Sequence, residues 1–317
     1  MKEFFTYEQQ IEKLKNSYGL IIDDEDRAIN DLKWEGYYNI INGYSSIFKD
    51  KDKYIPNTTF ENIKHLYNFD KQLRGIVYKY TTSIECHVKA LIAHEFSRVH
   101  GVNEKDYLDI SCFNPAENSK SAINRLIDEC NKTIQDALNP NSNKYRQYID
   151  HNYKSHGHVP LWVLIRALSF GTVSIFYKNM RKEERSAVAN IYKIPESTLS
   201  NMLEVVVSFR NIVAHGERTF CAKLPKTRLT TNLTITNKLN LNKNGKGENM
   251  YGRKDFLSLL ICFKYLLPAS EFIAFFTEFQ TAVDVLQKNQ KINSFKKIMT
   301  NMGLRSDSWK NLPKLTF

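Results

Sequence analysis

Between Phe60 and Val99 apolar residues recur at three- and four-residue spacing: Ile63, Leu66, Phe69, Leu73, Ile76, Val77, Tyr80, Ile84, Val88, Leu91 and Ile92. That period is helical, so the stretch reads as one or two long helices stopped by His100-Gly101. So long an apolar stripe must be buried against other elements, and most of those on offer are also helices. Gly and Pro number only 12 and 8 of 317 residues, well below the roughly 12% of average usage, which argues against a loop-dominated or Pro-rich chain. With 42% hydrophobic and 25% charged residues, the chain can bury a substantial core as one large or two ordinary domains.

The rest of the sequence fills in around that stripe. Residues 6–18 read as a helix, followed by the acidic turn IIDDED and a second helical segment that runs into GYYNIINGYSSIF, whose aromatic residues are expected to pack on the core. Ser121 to Leu138 repeats the helical pattern, and the polar stretch from Asn139 to Pro160 reads as a loop. PLWVLIRALSFGTVSIFYKNM, from Pro160 to Met180, reads as a pair of core helices around Gly171, and Lys182 to Tyr192 as another helix. From Pro195 to His215 a broad apolar face (Leu199, Met202, Leu203, Val206, Phe209, Ile212, Val213) predicts a helix that Gly216 would stop. LTTNLTITNKLNLNKNGKGEN alternates apolar and polar residues up to Asn244-Gly245, the pattern of a small β-hairpin with a basic tip. Helices from about Arg253 to Gln287 and a basic tail complete the chain.

Formal charge is +11, which points to a polyanionic partner, nucleic acid or an acidic membrane surface. Its location is more informative. Lys223 to Lys254 holds eight Lys or Arg against Glu248 alone, and Lys288 to Phe317 holds seven against Asp307 alone, while the remainder is slightly acidic with 30 bases and 32 acids. This segregation marks Lys238, Lys243, Lys246, Lys288, Lys291, Lys296, Lys297, Arg305 and Lys310 as candidate phosphate contacts, with Trp309 as a candidate base-stacking residue; Arg218 is a further candidate RNA contact. Leu161 to Tyr177 is interrupted by Arg166, and Leu257 to Phe276 by Lys264, Pro268 and Glu271, so both read as buried helices rather than membrane spans.

The five cysteines are widely spaced with no CxxC, which supports neither a disulfide framework nor a zinc ribbon. The opening MKEFFTYEQQIEKLKNS lacks the apolar core of a signal peptide, and a cytoplasmic location is the expectation. His94-Glu95 begins like a zinc-protease motif, but Arg98 stands where the second histidine should fall, so neither a metal nor any other cofactor is expected.

The sharpest chemical feature is Ser208 to Arg218, SFRNIVAHGER, which places Arg210 and His215 in an R-x4-H arrangement. On a helix these two lie about 140° apart, whereas Asn211 and His215 share a face. With Gly216 as a C-cap, the imidazole would sit over free carbonyls at the negative end of the helix dipole, a setting for a phosphate-facing acid/base. An Arg and a His are what metal-independent RNA cleavage requires. The 2′-OH attacks the adjacent phosphorus, a base removes its proton, an acid protonates the leaving 5′-oxygen, and a cation stabilises the phosphorane. DNA lacks the 2′-OH and would not be cut this way. The motif supplies only one histidine. A second copy of the helix across a two-fold axis would supply the other proton carrier, and the small Ala214 would permit close approach.

The motif and its surroundings resemble a known family. RNIVAHGER is similar to the R-N-x-x-A-H signature of abortive-infection (Abi) proteins of the AbiD/AbiF type, members of the HEPN superfamily of mostly RNA-cleaving helical domains. The Pro160 to Met180 run resembles the family's PLW…LSFG…FY segment. GYYNIINGYSSIF, from Gly36 to Phe48, resembles its YY…GY element, and NFDKQLRGIVYKYTTSIECHVKALIAH, from Asn68 to His94, its FD..LR…IE helix. The tail IMTNMGLRSDSW resembles its closing MG…W, so the likeness spans most of residues 30 to 312. Where many members carry a second histidine after the first, this chain has Gly216, so no paired-histidine role carries over.

The resemblance implies bacterial phage defence, dimeric pairing of the R-x4-H sites, and kinship to the nuclease domains of type VI CRISPR effectors; some relatives act with a structured non-coding RNA. Carried over, Arg210, Asn211 and His215 are the candidate catalytic residues, with Glu85 as a supporting acid. The expectation is an all-α, HEPN-like bundle at residues 60–221, with an N-terminal helical segment at 1–59, a basic β-hairpin insertion at 222–252, and C-terminal helices with a basic tail at 253–317. Its expected function is a homodimeric, metal-independent endoribonuclease with RNA as partner and no membrane. The alternative is a non-catalytic scaffold that holds a structured RNA or a protein.

Overall fold

The long apolar stripe is a single helix. A computed structural model describes residues 3–114, 119–230 and 233–316. In chain order its helices are α1 (Tyr7–Asn16), α2 (Glu25–Glu35), α3 (Phe60–His100), α4 (Glu104–Tyr107), α5 (Lys120–Leu138), α6 (Gln147–His156), α7 (Leu161–Leu164), α8 (Phe170–Asn179), α9 (Lys182–Asn190), α10 (Glu196–Ala214), α11 (Thr234–Lys238), α12 (Phe256–Leu266), α13 (Ala269–Lys288) and α14 (Ile292–Asn301). A π-helical stretch covers Tyr38–Asn42, and β1 (Lys49–Asp50) pairs antiparallel with β2 (Lys53–Tyr54).

At 41 residues, α3 runs ~60 Å and acts as the spine. Thr59 starts it by accepting the Asn62 N–H, while the Asn62 side chain accepts the Thr59 N–H, which satisfies amides that no helical carbonyl can reach. Its buried face carries Ile63, Leu66, Phe69, Leu73, Ile76, Val77, Tyr80, Ile84, Val88 and Ile92. α10 and α13 pack along it, and α10 is flanked in turn by α8, α9 and α12. α12 is enclosed on nearly every side. Its neighbour α13 stacks Phe275 and Phe279 (ring centroids 6.1 Å apart) and sets Phe275 edge-on to Phe263 of α12 (4.8 Å).

The chain is therefore all-α with a small β-hairpin, as the sequence pattern implies, although the details differ from the expectations. The ladder lies at Lys49–Tyr54. At the expected hairpin the strand pairing reduces to one bridge, Lys243 to Asn249, around a turn in which the Asn244 side chain accepts the N–H groups of Lys246 and Glu248. The alternating residues before it form α11 instead, because Leu233, Ile235, Leu239 and Leu241 can all be buried there; Thr231 and Asn232 of the same stretch lie outside the described residues. The polar stretch from Asn139 contains α6, a surface helix anchored by the buried Ile149 and closed by left-handed Gly157. The C-terminal tail is also structured. Gly303 approaches the Asp255 carboxylate so closely that a Cβ would lie 2.5 Å from its carbon, at a φ of +81°.

Two outcomes test this packing. Gly303→Ala combines a left-handed backbone, costing about 1–2 kcal/mol, with an overpacked contact costing about 1–3 kcal/mol, so urea unfolding should show a loss of roughly 2–5 kcal/mol. Burial pushes the Cys130 thiol up to about 12 and raises that of Cys262, whereas Cys86 is exposed. A disulfide reagent at neutral pH should modify Cys86 first and reach Cys130 and Cys262 only on denaturation; equal rates at the three would contradict this core.

Candidate functional site

The R-x4-H helix ends as its sequence requires. His215 is the C-cap of α10, and Gly216 follows at a φ of +70°. The Gly216 N–H reaches the Val213 carbonyl (3.2 Å) and the Glu217 N–H reaches Ile212 (3.0 Å), the paired bonds of a glycine-terminated helix. This termination leaves Asn211, Ala214 and His215 exposed. Among the described residues, nothing hydrogen-bonds the imidazole.

Beyond the cap the chain is fixed by one buried group. Asp70, on α3 and 0% exposed, accepts the backbone N–H groups of Phe220 (2.7 Å) and Thr219 (3.1 Å). Its second oxygen accepts the Tyr44 hydroxyl (2.7 Å) and Nη1 of Arg74 (2.9 Å), which also donates to the Tyr44 oxygen (3.3 Å). Burial pushes the Asp70 carboxyl up, and these donors counter that only in part. Tyr44 stacks on Phe220 (5.6 Å) and meets Tyr67 edge-on.

The network and the helix end frame a polar cleft of about 660 Å³. Three elements line it: the π-helical stretch and its sequel (Tyr38, Asn39, Asn42), α3 (Tyr67, Arg74), and the end of α10 (His215 to Arg218). Arg218 bridges the cleft mouth by donating to the Gly43 carbonyl (2.6 Å).

Arg210 faces elsewhere. Its Nε lies 3.7 Å from Glu85 of α3 and is buried without a hydrogen-bond partner, while the side chain as a whole stays 31% exposed. Glu85 pairs more closely with Lys89 (2.7 Å), which also donates to the Leu168 carbonyl (2.8 Å). One chain thus brings His215 together with Arg218 in the cleft, and Arg210 together with Glu85 beside Lys89. The angular offset of five helical residues already implied that separation.

The candidate phosphate contacts divide. Lys296, Arg305 and Lys310 line a second groove of about 520 Å³, where Asp307 also stands. Lys243, Lys246 and Lys288 are exposed. Lys238 donates to the Thr316 carbonyl (2.8 Å), Lys291 to Asn57 (2.7 Å), and Lys297 to Ser46 and Ile47 (both 3.1 Å), so these three tie chain segments together. Trp309 is corrected: it is 3% exposed and packs on Phe276 and Phe279 (5.8 and 5.6 Å). Its ring is a core residue, not a free stacking platform.

Residues the sequence reading passed over are Asp70, Arg74 and Tyr44. All three lay inside stretches already noted, the FD, LR and GY of the family-like elements, but polar residues on an apolar stripe gave no sign of converging on the chain after His215. Among the described residues, no cluster of three or more His, Cys, Asp or Glu could hold a metal, and no helix is long and apolar enough to cross a membrane.

The model of the Abi-like protein family matches residues 30–221, a span that holds α3, α10, the cleft and the Asp70 network. The chain belongs to that family, which is named for abortive infection. The match stops at Cys221 and does not reach the MG…W tail. No curated protein and no solved structure matches the chain.

Asp70 offers a direct test. Asp70→Ala strands the Arg74 guanidinium and two backbone amides, a loss of the size seen when a buried pair is broken, about 3–5 kcal/mol. Chemical unfolding should register it, and a change below about 1 kcal/mol would show that the network does not hold the helix end in place.

Proposed function

We propose that the protein is a metal-independent, HEPN-type endoribonuclease of abortive-infection defence, working as a homodimer. The observation that carries this reading is the R-x4-H helix end within an Abi-like chain, with an unencumbered His215 on the rim of a polar cleft that holds Arg74 and Arg218. In the proposed reaction one imidazole takes the proton of a ribose 2′-OH as its oxygen bonds to the adjacent phosphorus. The P–O5′ bond breaks, a second proton carrier protonates the 5′-oxygen, and a 2′,3′-cyclic phosphate remains. A guanidinium neutralises the charge gathering on the phosphorane. Arg210 lies on another face of α10, so its joint action with His215 calls for two copies. The exposed Asn211, Ala214 and His215 offer a low-relief helix end for that approach, with Asn211 orienting the substrate or the paired motif.

A second reading is a scaffold that holds a structured RNA or a protein without cutting. The groove of Lys296, Arg305 and Lys310, which lies outside the family-matched span, favours it.

Purified protein incubated with cellular RNA in EDTA should yield fragments ending in 2′,3′-cyclic phosphate. His215→Ala should reduce the rate by at least about 100-fold, the usual contribution of a general acid or base, and Arg210→Ala should also be strongly impaired. Equal cleavage by His215→Ala overturns the assignment. No cleavage, with binding lost when Lys296 and Lys310 are neutralised, favours the scaffold.

A further inference from the structure

We infer that the cleft beside His215 is a subsite for one splayed-out nucleotide of single-stranded RNA, with Tyr38 stacking on its base and Arg74 and Arg218 taking its phosphate. The identity of the polymer rests on the ribonuclease reading above; the shape and chemistry of the subsite do not.

The first support is the backbone. Tyr38–Asn42 is a π-helical stretch, a rare conformation that tends to occur where function uses it. Here it turns Tyr38, Asn39 and Asn42 into the cleft while Ile40 and Ile41 are buried. The second is the aromatic ring. Tyr44 and Phe48, a few residues on, are 2% and 1% exposed, whereas Tyr38 is 75% exposed. Its ring stacks on no aromatic neighbour among the described residues. A large ring left bare in a polar cleft costs apolar hydration, and a base seated on it would recover that cost, whatever the base's identity.

The polar groups fit the same ligand. Asn39 commits an amide N–H to the Glu35 carbonyl (2.7 Å), which leaves its side-chain oxygen to accept. Asn42 is exposed and its amide is unpaired among the described residues, so it can offer both a donor and an acceptor to a base edge. Arg74 is held by Asp70 and Tyr44 through Nη1 alone, which fixes the plane of its guanidinium before any ligand arrives and leaves Nη2 for a phosphate oxygen. Arg218 adds a second cation, against the single carboxylate of Glu217. About 660 Å³ lies within the range of ligand sites. A duplex would keep its bases stacked and out of reach, so an unpaired strand is the form that can enter.

The test measures binding, not turnover. A fluorescein-labelled mixed-sequence RNA octamer with 2′-fluoro sugars cannot be cut by 2′-OH attack, and its anisotropy reports affinity for the full chain. Tyr38→Ala, a surface change that leaves the core intact, should weaken binding roughly tenfold, and Tyr38→Phe should restore it. Arg218→Ala should weaken binding and lower the slope of log affinity against log salt by about one. Affinity within twofold of wild type for Tyr38→Ala, at unchanged melting temperature, overturns the subsite. Displacement of the octamer by uridine 3′-monophosphate at equal concentration would reassign the cleft to a free nucleotide and overturn the RNA assignment. The two readings fail separately. Tyr38-independent binding with cleavage intact removes only the subsite, whereas Tyr38-dependent binding with no RNA cut removes only the nuclease.

Discussion

One buried carboxyl group, that of Asp70, holds the end of the R-x4-H helix in place. Asp70 sits on the largely apolar buried face of the 41-residue α3, and a carboxyl group there is tolerable because its oxygens are taken up by hydrogen-bond donors. Two of its partners are the backbone amides of Thr219 and Phe220, so the chain leaving the R-x4-H helix cannot drift from the spine. The other two are Tyr44 and Arg74, so the same atom pair fixes the cleft's floor. The electrostatic cost of burying the group is offset by the hydrogen bonds and the ion pair it accepts.

This arrangement gives α10 two distinct outlooks. Its flank, at the half-exposed Arg210, is turned toward Glu85 of α3, while its end, at His215, opens on the cleft. The helix period sets the two groups of one motif about 140° apart around α10. The end of α10 stands beside two cations, Arg74 from α3 and Arg218 from the segment after the cap.

Much of this was legible in the sequence because it depends on local rules. The stripe from Phe60 onward, the apolar face before His215 and the glycine after it each specify a helix or its end through spacing and backbone conformation alone. The alternating residues before Asn244 misled because four apolar side chains in nine positions can be buried by a short helix as well as by a strand, and the neighbouring core decides. The basic residues could be counted but not sorted. Lys291 and Lys297 satisfy carbonyls over 200 positions away, and Trp309 fills a gap against α13; neither partner is visible from spacing. The tie from Asp70 to the chain after His215 was hidden for the same reason, since its backbone partners Thr219 and Phe220 are 149 and 150 residues distant in the chain.

The lysine ties of the C-terminal region bear on what counts as a unit here. The family-matched span ends at Cys221, yet α12 and α13 cover α10 and α3, and Lys291 and Lys297 clasp carbonyls between residues 46 and 57. The segment after residue 221 is thus a staple across the spine, not an appendage to it. A fragment cut at the family boundary would lose the phenylalanine-rich helices α12 and α13 and lay bare the apolar residues of α3 and α10 that they cover, Tyr80 and Phe209 among them.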